Sequence, residues 1–254
     1  MKLYIGTSGY TYPHWGSGIF YHSGLPADKW LEFYSRQFNG VELPTTAHQP
    51  PDADTVMTWL KTTPREFQFA VQGSRFITHV KQLKDAGESL ATLAENLRPL
   101  KPKTACFFWQ LPEGFKKDRE LLTGFCQHFK RTQLFRDVRH VFDFKDPSWL
   151  CDDIYKVLRD FRCCLCLNDS ASSSGGDPGE WVTTTDFIYL RCHGGRTFYN
   201  SHYSRKELEG LADKLRGRRD RVHTLYVFFS NDEQGFAVYN AQTFRMLLLE
   251  RRMI

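Results

Sequence analysis

The residues best suited to chemistry in this sequence stand where apolar runs stop. Residues 186–200 read D-F-I-Y-L-R-C-H-G-G-R-T-F-Y-N. As a strand, this run puts Ile188, Leu190 and Cys192 on one face and Tyr189, Arg191 and His193 on the other. His193 is the natural proton carrier, because an unperturbed imidazole titrates near ~6.5. Arg191 can hold a carboxylate or phosphate through a charge-assisted fork. Gly194 and Gly195 allow a tight turn, and Tyr199 follows on the rim as a candidate ligand contact.

The same pattern recurs. Aliphatic faces must meet helices, which fixes the phase of each run and turns its polar end inward. Ser8, Glu42, Gln72, Asp143, Lys145, Asn168 and Ser230 then join Arg191 and His193, with Gln110, Asn231 and Asp232 at the rim. Buried charges are costly without partners or a ligand, so this set reads as a functional pocket. Glu42 and Asp143 are candidate general bases beside His193. Arg191, Lys145, Asn231 and Asp232 are candidate ligand contacts. Arg75, in Q-G-S-R-F-I-T-H, is either a second anion contact or a helix-cap salt bridge. A divalent metal could draw on Glu42, Asp143, Asp169, His193 and Asp232, but no H-x-H or D-x-D spacing supports one, and the predicted set contains no metal and no organic cofactor. There is no G-x-S-x-G motif, and Ser8 has no base adjacent in sequence.

Eight β-rich runs carry these residues, at 2–6, 40–43, 67–72, 104–109, 138–144, 163–168, 187–192 and 224–229. Most are continuously apolar, as parallel strands covered on both faces must be. Helical periodicity fills the gaps at 27–37, 52–61, 78–97, 118–130, 149–160 and 240–250, and Ser204 with Glu207 forms a capping box before Leu208, Leu211 and Leu215. Residues 170–185 have no helical period and read as a long loop. The alternation predicts one domain over 1–254, an α/β TIM-like (β/α)8 barrel whose sixth crossover is a loop. A doubly wound sheet would need a phosphate-binding G-x-G-x-x-G after the first strand, and G-T-S-G-Y is not that motif.

Composition narrows the class. There are 34 Lys plus Arg against 29 Asp plus Glu, a formal charge of +5, which suits an anionic ligand but does not by itself indicate nucleic acid. No apolar run approaches the ~20 residues that span a bilayer, so no membrane partner is expected. The start of the chain lacks a signal-peptide core, and the seven cysteines are an odd number, so reduced thiols in the cytoplasm are expected. An aromatic stretch, Tyr10 to Tyr21, either stacks a ligand over the mouth or plugs it. Arg216, Arg218, Arg219 and Arg221 form a basic patch, by default a solvated helix end.

Several motifs carry a family resemblance. G-T-S-G-Y at 6–10, P-H-W at 13–15, F-N-G-V-E-L at 38–43 and R-F-I-T-H at 75–79 resemble the YecE-like family, domain of unknown function seventy-two. Q-L-P at 110–112, D-P-S-W at 146–149, Y-L-R-C-H-G at 189–194 and N-D-E-Q-G-F-A-V-Y-N-A at 231–241 continue the match in order over the whole chain. The resemblance implies a TIM-barrel-like fold and no established reaction. Against the family pattern, Gln72 stands for a Lys, and Lys145 and Asp146 stand for an Arg and a His. The stretch after Glu42 also departs, reading L-P-T-T-A-H. An altered substrate or a lost activity would follow from such changes.

The expected function is acid/base catalysis, a hydrolysis or isomerisation, on a small polar anionic ligand such as a phosphate ester or sugar derivative. The alternatives are a nucleic-acid binding or processing protein and a barrel that binds a ligand without turning it over.

Overall fold

A computed structural model describes residues 1–44, 51–169, 181–194 and 201–254. Its strands are β1 (Lys2–Thr7), β2 (Gly40–Leu43), β3 (Gln68–Gln72), β4 (Thr104–Leu111), β5 (Arg139–Phe144), β6 (Cys163–Leu165), β7 (Leu167–Asn168), β8 (Phe187–Cys192) and β9 (Thr224–Phe229). Every pairing is parallel, in two sheets ordered β2-β3-β4-β5-β6 and β1-β9-β8-β7. The architecture is parallel α/β and TIM-barrel-like.

The sheets meet at two seams. At the first, the run 163–168 is one strand in sequence but divides at Cys166: β6 pairs with β5 and β7 with β8. The Cys166 N–H still donates to Phe142 O at 2.7 Å, so the run belongs to both sheets. At the second, side chains do the work of a ladder between β1 and β2. Asn39 Oδ1 accepts from Ile5 N at 2.9 Å, and its Nδ2 donates to Leu3 O at 2.7 Å. The Tyr34 hydroxyl accepts from Thr7 N at 2.8 Å and donates to Gly40 O at 3.2 Å. A Cβ at Gly6 would run into Gly40 O and that hydroxyl, which is why glycine stands there. Only at the top do backbones meet directly, Gly9 N donating to Glu42 O at 2.7 Å.

The helices are α1 (Trp30–Gln37), α2 (Ala53–Thr62), α3 (Gly87–Leu97), α4 (Arg119–Arg131), α5 (Gln133–Arg136), α6 (Asp152–Asp160), α7 (Arg205–Arg216) and α8 (Phe236–Glu250). Asp52 and Asp118 cap α2 and α4, accepting from Thr55 N and Leu121 N, and the predicted Ser204–Glu207 capping box opens α7. The long helix expected at 78–97 is broken. A single π turn, Phe76–Val80, is followed by Gln82, Leu83 and Asp85 at φ 48°, 67° and 43°, and α3 starts only at Gly87. Left-handed residues end a right-handed helix, and here the turn they make buries Leu83 at 2% exposure. The short α5, which buries Leu134 and Phe135, has too little periodicity to be read from sequence. Most of the loop predicted at 170–185 lies outside the described residues. Its described end, 181–185, is neither helix nor strand, and Trp181 there is buried.

The core has two layers, as the phase assignment requires. Ile5, Val41, Phe69, Phe142, Leu190 and Val227 face the helices. Tyr4, Ala70, Phe108, Cys164, Tyr189 and Phe228 pack against one another inside. All seven cysteines are free thiols, and no described helix is long and apolar enough to cross a membrane.

Candidate functional site

The polar ends of the inward faces converge above the inner core. Glu42 arrives on β2 and is 1% exposed. Its Oε1 accepts from Ser8 Oγ at 2.5 Å and Arg191 Nη2 at 3.0 Å, and its Oε2 accepts from the Tyr189 hydroxyl at 2.5 Å. The Tyr189 phenol is pushed well up, by burial and then by the Glu42 charge, so it stays a donor.

Arg191 comes up on β8 beside them, 7% exposed. Its guanidinium carbon lies 4.8 Å over the Phe108 ring, and Nη1 is 3.6 Å from Asp143 Oδ2. Burial works against its charge, but the carboxylates of Glu42 and Asp143 outweigh burial and hold the proton more firmly than in water. Among the described residues, Nε and Nη1 are buried with no hydrogen-bond partner. Such a group is costly to leave so, and a ligand oxygen is the natural acceptor.

Asp143, fully buried at the end of β5, is the second counter-ion. Oδ2 takes Gln110 Nε2 at 3.0 Å and lies 2.9 Å from Lys145 Nζ, while Oδ1 takes Asn168 Nδ2 at 3.1 Å. Burial raises its pKa, yet Lys145, Arg191 and the Gln110 hydrogen bond prevail and bring it down to about 2. Asp143 is therefore a permanent carboxylate and serves as an electrostatic anchor.

Asn168 settles the state of His193. Its amide nitrogen is spent on Asp143, so its Oδ1 must accept, and His193 Nε2, 2.9 Å away, carries the ring hydrogen. Nδ1 then accepts from Ser230 Oγ at 2.7 Å. Burial, followed by the charges of Arg191 and Lys145, holds the imidazole well below its usual range against the opposing pull of Asp143, so it is neutral. Asp169 accepts from His193 N at 2.9 Å and from the Tyr203 hydroxyl, which fixes the backbone at the end of β8.

An open cleft of about 460 Å³ lies over this network, lined by Ser8, Tyr12, His14, Arg191, Ser230, Asp232 and Glu233. Asp232 Oδ1 accepts from Trp15 Nε1 at 2.8 Å, and burial raises its carboxyl to about 6 against the pull of His14 and Trp15. Asn231 turns away to tie the chain together, donating to Ser201 O at 2.8 Å and Asn240 Oδ1 at 2.9 Å.

The structure thus brings Glu42, Asp143, Lys145, Arg191 and His193 into one network and sets Asp232 on its rim. Arg75 is exposed beyond β3, and among the described residues no hydrogen bond or ion pair joins it to the network. Tyr199 lies outside the described residues. Sequence reasoning set the Tyr10–Tyr21 stretch over the mouth, as a ligand stack or a plug, without singling out Tyr12 and His14 as its walls, and it passed over Tyr189 as a Glu42 donor. Tyr189 was within reach, because it shares a strand face with Arg191. His14 was not, since only the fold carries the loop after β1 to Asp232. The rest of that aromatic loop packs against α1: Tyr21 stacks on Trp30 with centroids 4.6 Å apart. The basic patch after α7 precedes β9 and so lies at the opposite end of the strands. Among the described residues no group of three His, Cys, Asp or Glu could hold a metal ion.

Comparison with known proteins agrees with this architecture. The profile of a family described as "Protein of unknown function DUF72" matches residues 4–253. UPF0759 protein YunF of Bacillus subtilis is 24% identical, over 97% of this chain and 94% of its own length. UPF0759 protein YecE of Escherichia coli is 28% identical, but the match spans only 44% of this chain and 39% of that protein. A DUF72 family crystal structure from Thermotoga maritima superposes with a TM-score of 0.84 at 27% identity, covering 98% of this chain and all of its own. A sugar phosphate isomerase/epimerase from Parabacteroides distasonis shares the fold, with a TM-score of 0.57 at 9% identity over 98% and 93% of the two chains.

Proposed function

The chain belongs to the DUF72 family, and within it we propose an enzyme that binds a small polar anionic ligand in the cleft above Arg191 and acts on it by proton transfer. The observation that carries this reading is the buried guanidinium whose Nε and Nη1 have no hydrogen-bond partner among the described residues, while Nη2 is fixed by Glu42. Glu42 and Asp143 hold the fork rigid, and Lys145 adds a second positive charge 2.9 Å from Asp143.

The network links binding to chemistry. The charges of Arg191 and Lys145 are, after burial, what keeps His193 from taking a proton. An anion placed on Arg191 cancels part of that field and raises the proton affinity of the imidazole. His193 then becomes the base that withdraws the Ser230 hydroxyl proton across 2.7 Å, and Ser230 exchanges a proton with the ligand in the cleft. Asp143, the carboxylate whose charge favours the protonated imidazole, stabilises the positive charge as it develops on His193, and Glu42 holds Arg191 in place. Proton transfer of this kind serves an isomerase or a hydrolase and needs no organic cofactor.

The test is a thermal-shift and calorimetric panel of inorganic phosphate, methyl phosphate and small carboxylates. A ligand at a hundred times its Kd stabilises the folded chain by about 2.7 kcal/mol. At least one anion should do so, and Arg191→Lys, which keeps the charge but not the fork, should weaken it severalfold or more. If every anion leaves Tm unmoved, or if Arg191→Lys binds as well as the natural chain, the reading fails.

A further inference from the structure

Two walls of the cleft hold unmet hydrogen-bonding capacity of opposite kinds. Among the described residues, Arg191 has donors without acceptors. Asp232, which lines the same cleft, is 8% exposed, and among the described residues its Oδ2 is buried with no hydrogen-bond donor aligned on it. The His14 ring is the neighbour there, and its Nε2 lies 3.0 Å from Oδ2 and also 3.0 Å from the Asp232 carbonyl oxygen. One ring hydrogen cannot serve both, and the carbonyl is the oxygen it is aligned with. Oδ1 is already committed to Trp15.

We propose that the cleft is a two-point site: Arg191 takes an anionic oxygen of the ligand, and Asp232 Oδ2 accepts a hydroxyl hydrogen from the same molecule. The ligand class is then a small anion that also carries a hydroxyl, probed here as a phosphate monoester; this adds a second anchor to the anion site proposed above and rests on that reading. A plain anion satisfies Arg191 and leaves Oδ2 bare. A bare oil-like ester would bury that carboxylate against carbon, which is costly. The cleft, at about 460 Å³, has room for a ligand with three or four carbons plus its phosphate. The raised carboxyl of Asp232, at about 6 mainly through burial, agrees with a carboxylate short of donors.

Asp232 is held in place independently of any ligand. It follows Asn231, whose amide is fixed to Ser201 and Asn240, and its own Oδ1 is fixed by Trp15, a fully buried indole. The carboxylate is thus a preorganised acceptor, the property that lets a buried polar group discriminate a hydroxyl from its absence.

Isothermal titration at pH 7.5 and fixed ionic strength compares methyl phosphate with glycerol 3-phosphate. The natural chain should bind glycerol 3-phosphate at least tenfold more tightly, since a hydrogen bond to a charged group is worth about 1.5–3 kcal/mol. Asp232→Asn keeps the Trp15 acceptor and replaces the free oxygen by a donor, so the preference should fall below threefold, because loss of the negative charge acts on both esters alike and cancels in the ratio. Asp232→Ala, checked for folding by circular dichroism, should behave the same way. Equal binding of the two esters by the natural chain overturns the two-point site and leaves the anion site standing. So does a preference that survives both substitutions. Failure of both esters to bind overturns this inference, and the anion site itself fails only if the wider anion panel is silent as well.

Discussion

The Arg191–Glu42 pair gives the most direct measure of the site's electrostatics. Their side chains are 8% and 1% exposed and meet at 3.0 Å. Arg191→Met keeps most of the volume and removes the cation. Glu42 would retain Ser8 and Tyr189 as donors but no counter-charge. Breaking a buried pair from one side costs about 3–5 kcal/mol, because the remaining charge is left uncompensated. Glu42→Gln strands Arg191 in the same way, with only Asp143 at 3.6 Å to balance it. The double variant leaves no stranded charge at this pair, so its loss should fall short of the sum of the singles by about 2 kcal/mol or more. Urea denaturation followed by circular dichroism and by the fluorescence of the six tryptophans gives each corner of the cycle. The cost should persist at high salt, since buried charges are poorly screened. Strict additivity, or an Arg191→Met variant within about 0.5 kcal/mol of the natural chain, would refute the claim that this fork is a desolvated, mutually compensated pair.

Two further outcomes test the frame around the site. His140 is buried, with Nε2 against Phe135 O at 2.8 Å, Nδ1 accepting from Trp109 at 3.1 Å, and a pKa brought down to about 3 chiefly by burial. Its folded pKa lies below the unfolded ~6.5, so the folded state binds fewer protons, and stability is intact above that value and falls as the pH drops toward 3. The loss from this group alone should reach about 2 kcal/mol by pH 5, read as a lower urea midpoint, and His140→Gln should remove that slope. Gly6→Ala drives a methyl into Gly40 O and the Tyr34 hydroxyl, so it should destabilise the chain by several kcal/mol, whereas Gly124→Ala, where a Cβ meets nothing within 4 Å, should not.

Period-2 alternation was enough to assign the inward faces. Glu42, Asp143, Asn168, Arg191, His193 and Ser230 all meet where that alternation puts them, because one apolar side per strand leaves no choice of phase. Alternation said nothing about pairing. The division of 163–168 between two sheets, and the replacement of ladder bonds by Asn39 and Tyr34, depend on contacts distant in sequence. The broken helix after β3 was illegible for another reason. Gln82, Leu83 and Asp85 adopt positive φ without being glycine, so tertiary packing overrode their local preference. Protonation was the least legible layer. Sequence marks His193 as a proton carrier by its type. Its neutrality follows from burial and then from the charges of Arg191 and Lys145, and its tautomer from Asn168, an environment that only the fold assembles.

The departures from the family pattern can now be weighed by position. Asp146, where a His is usual, accepts from Ser148 N at 3.0 Å and pairs with Lys116 Nζ at 3.0 Å, so it caps the turn before α6. That change falls on a local turn and leaves the network unaltered. Lys145, where an Arg is usual, keeps the positive charge on Asp143. It gives up the fork, so it can attract an anion but cannot orient one as a guanidinium would. Gln72 removes a charge that a Lys would place at the end of β3. Within the network two carboxylates, Glu42 and Asp143, then face two cations, Arg191 and Lys145, and the balance is even. An even balance makes Arg191 and Lys145 count more for His193, because no further cation shares the task of holding it neutral. The same balance makes an arriving anion decisive: it tips a compensated site, and the proton affinity of His193 moves with it.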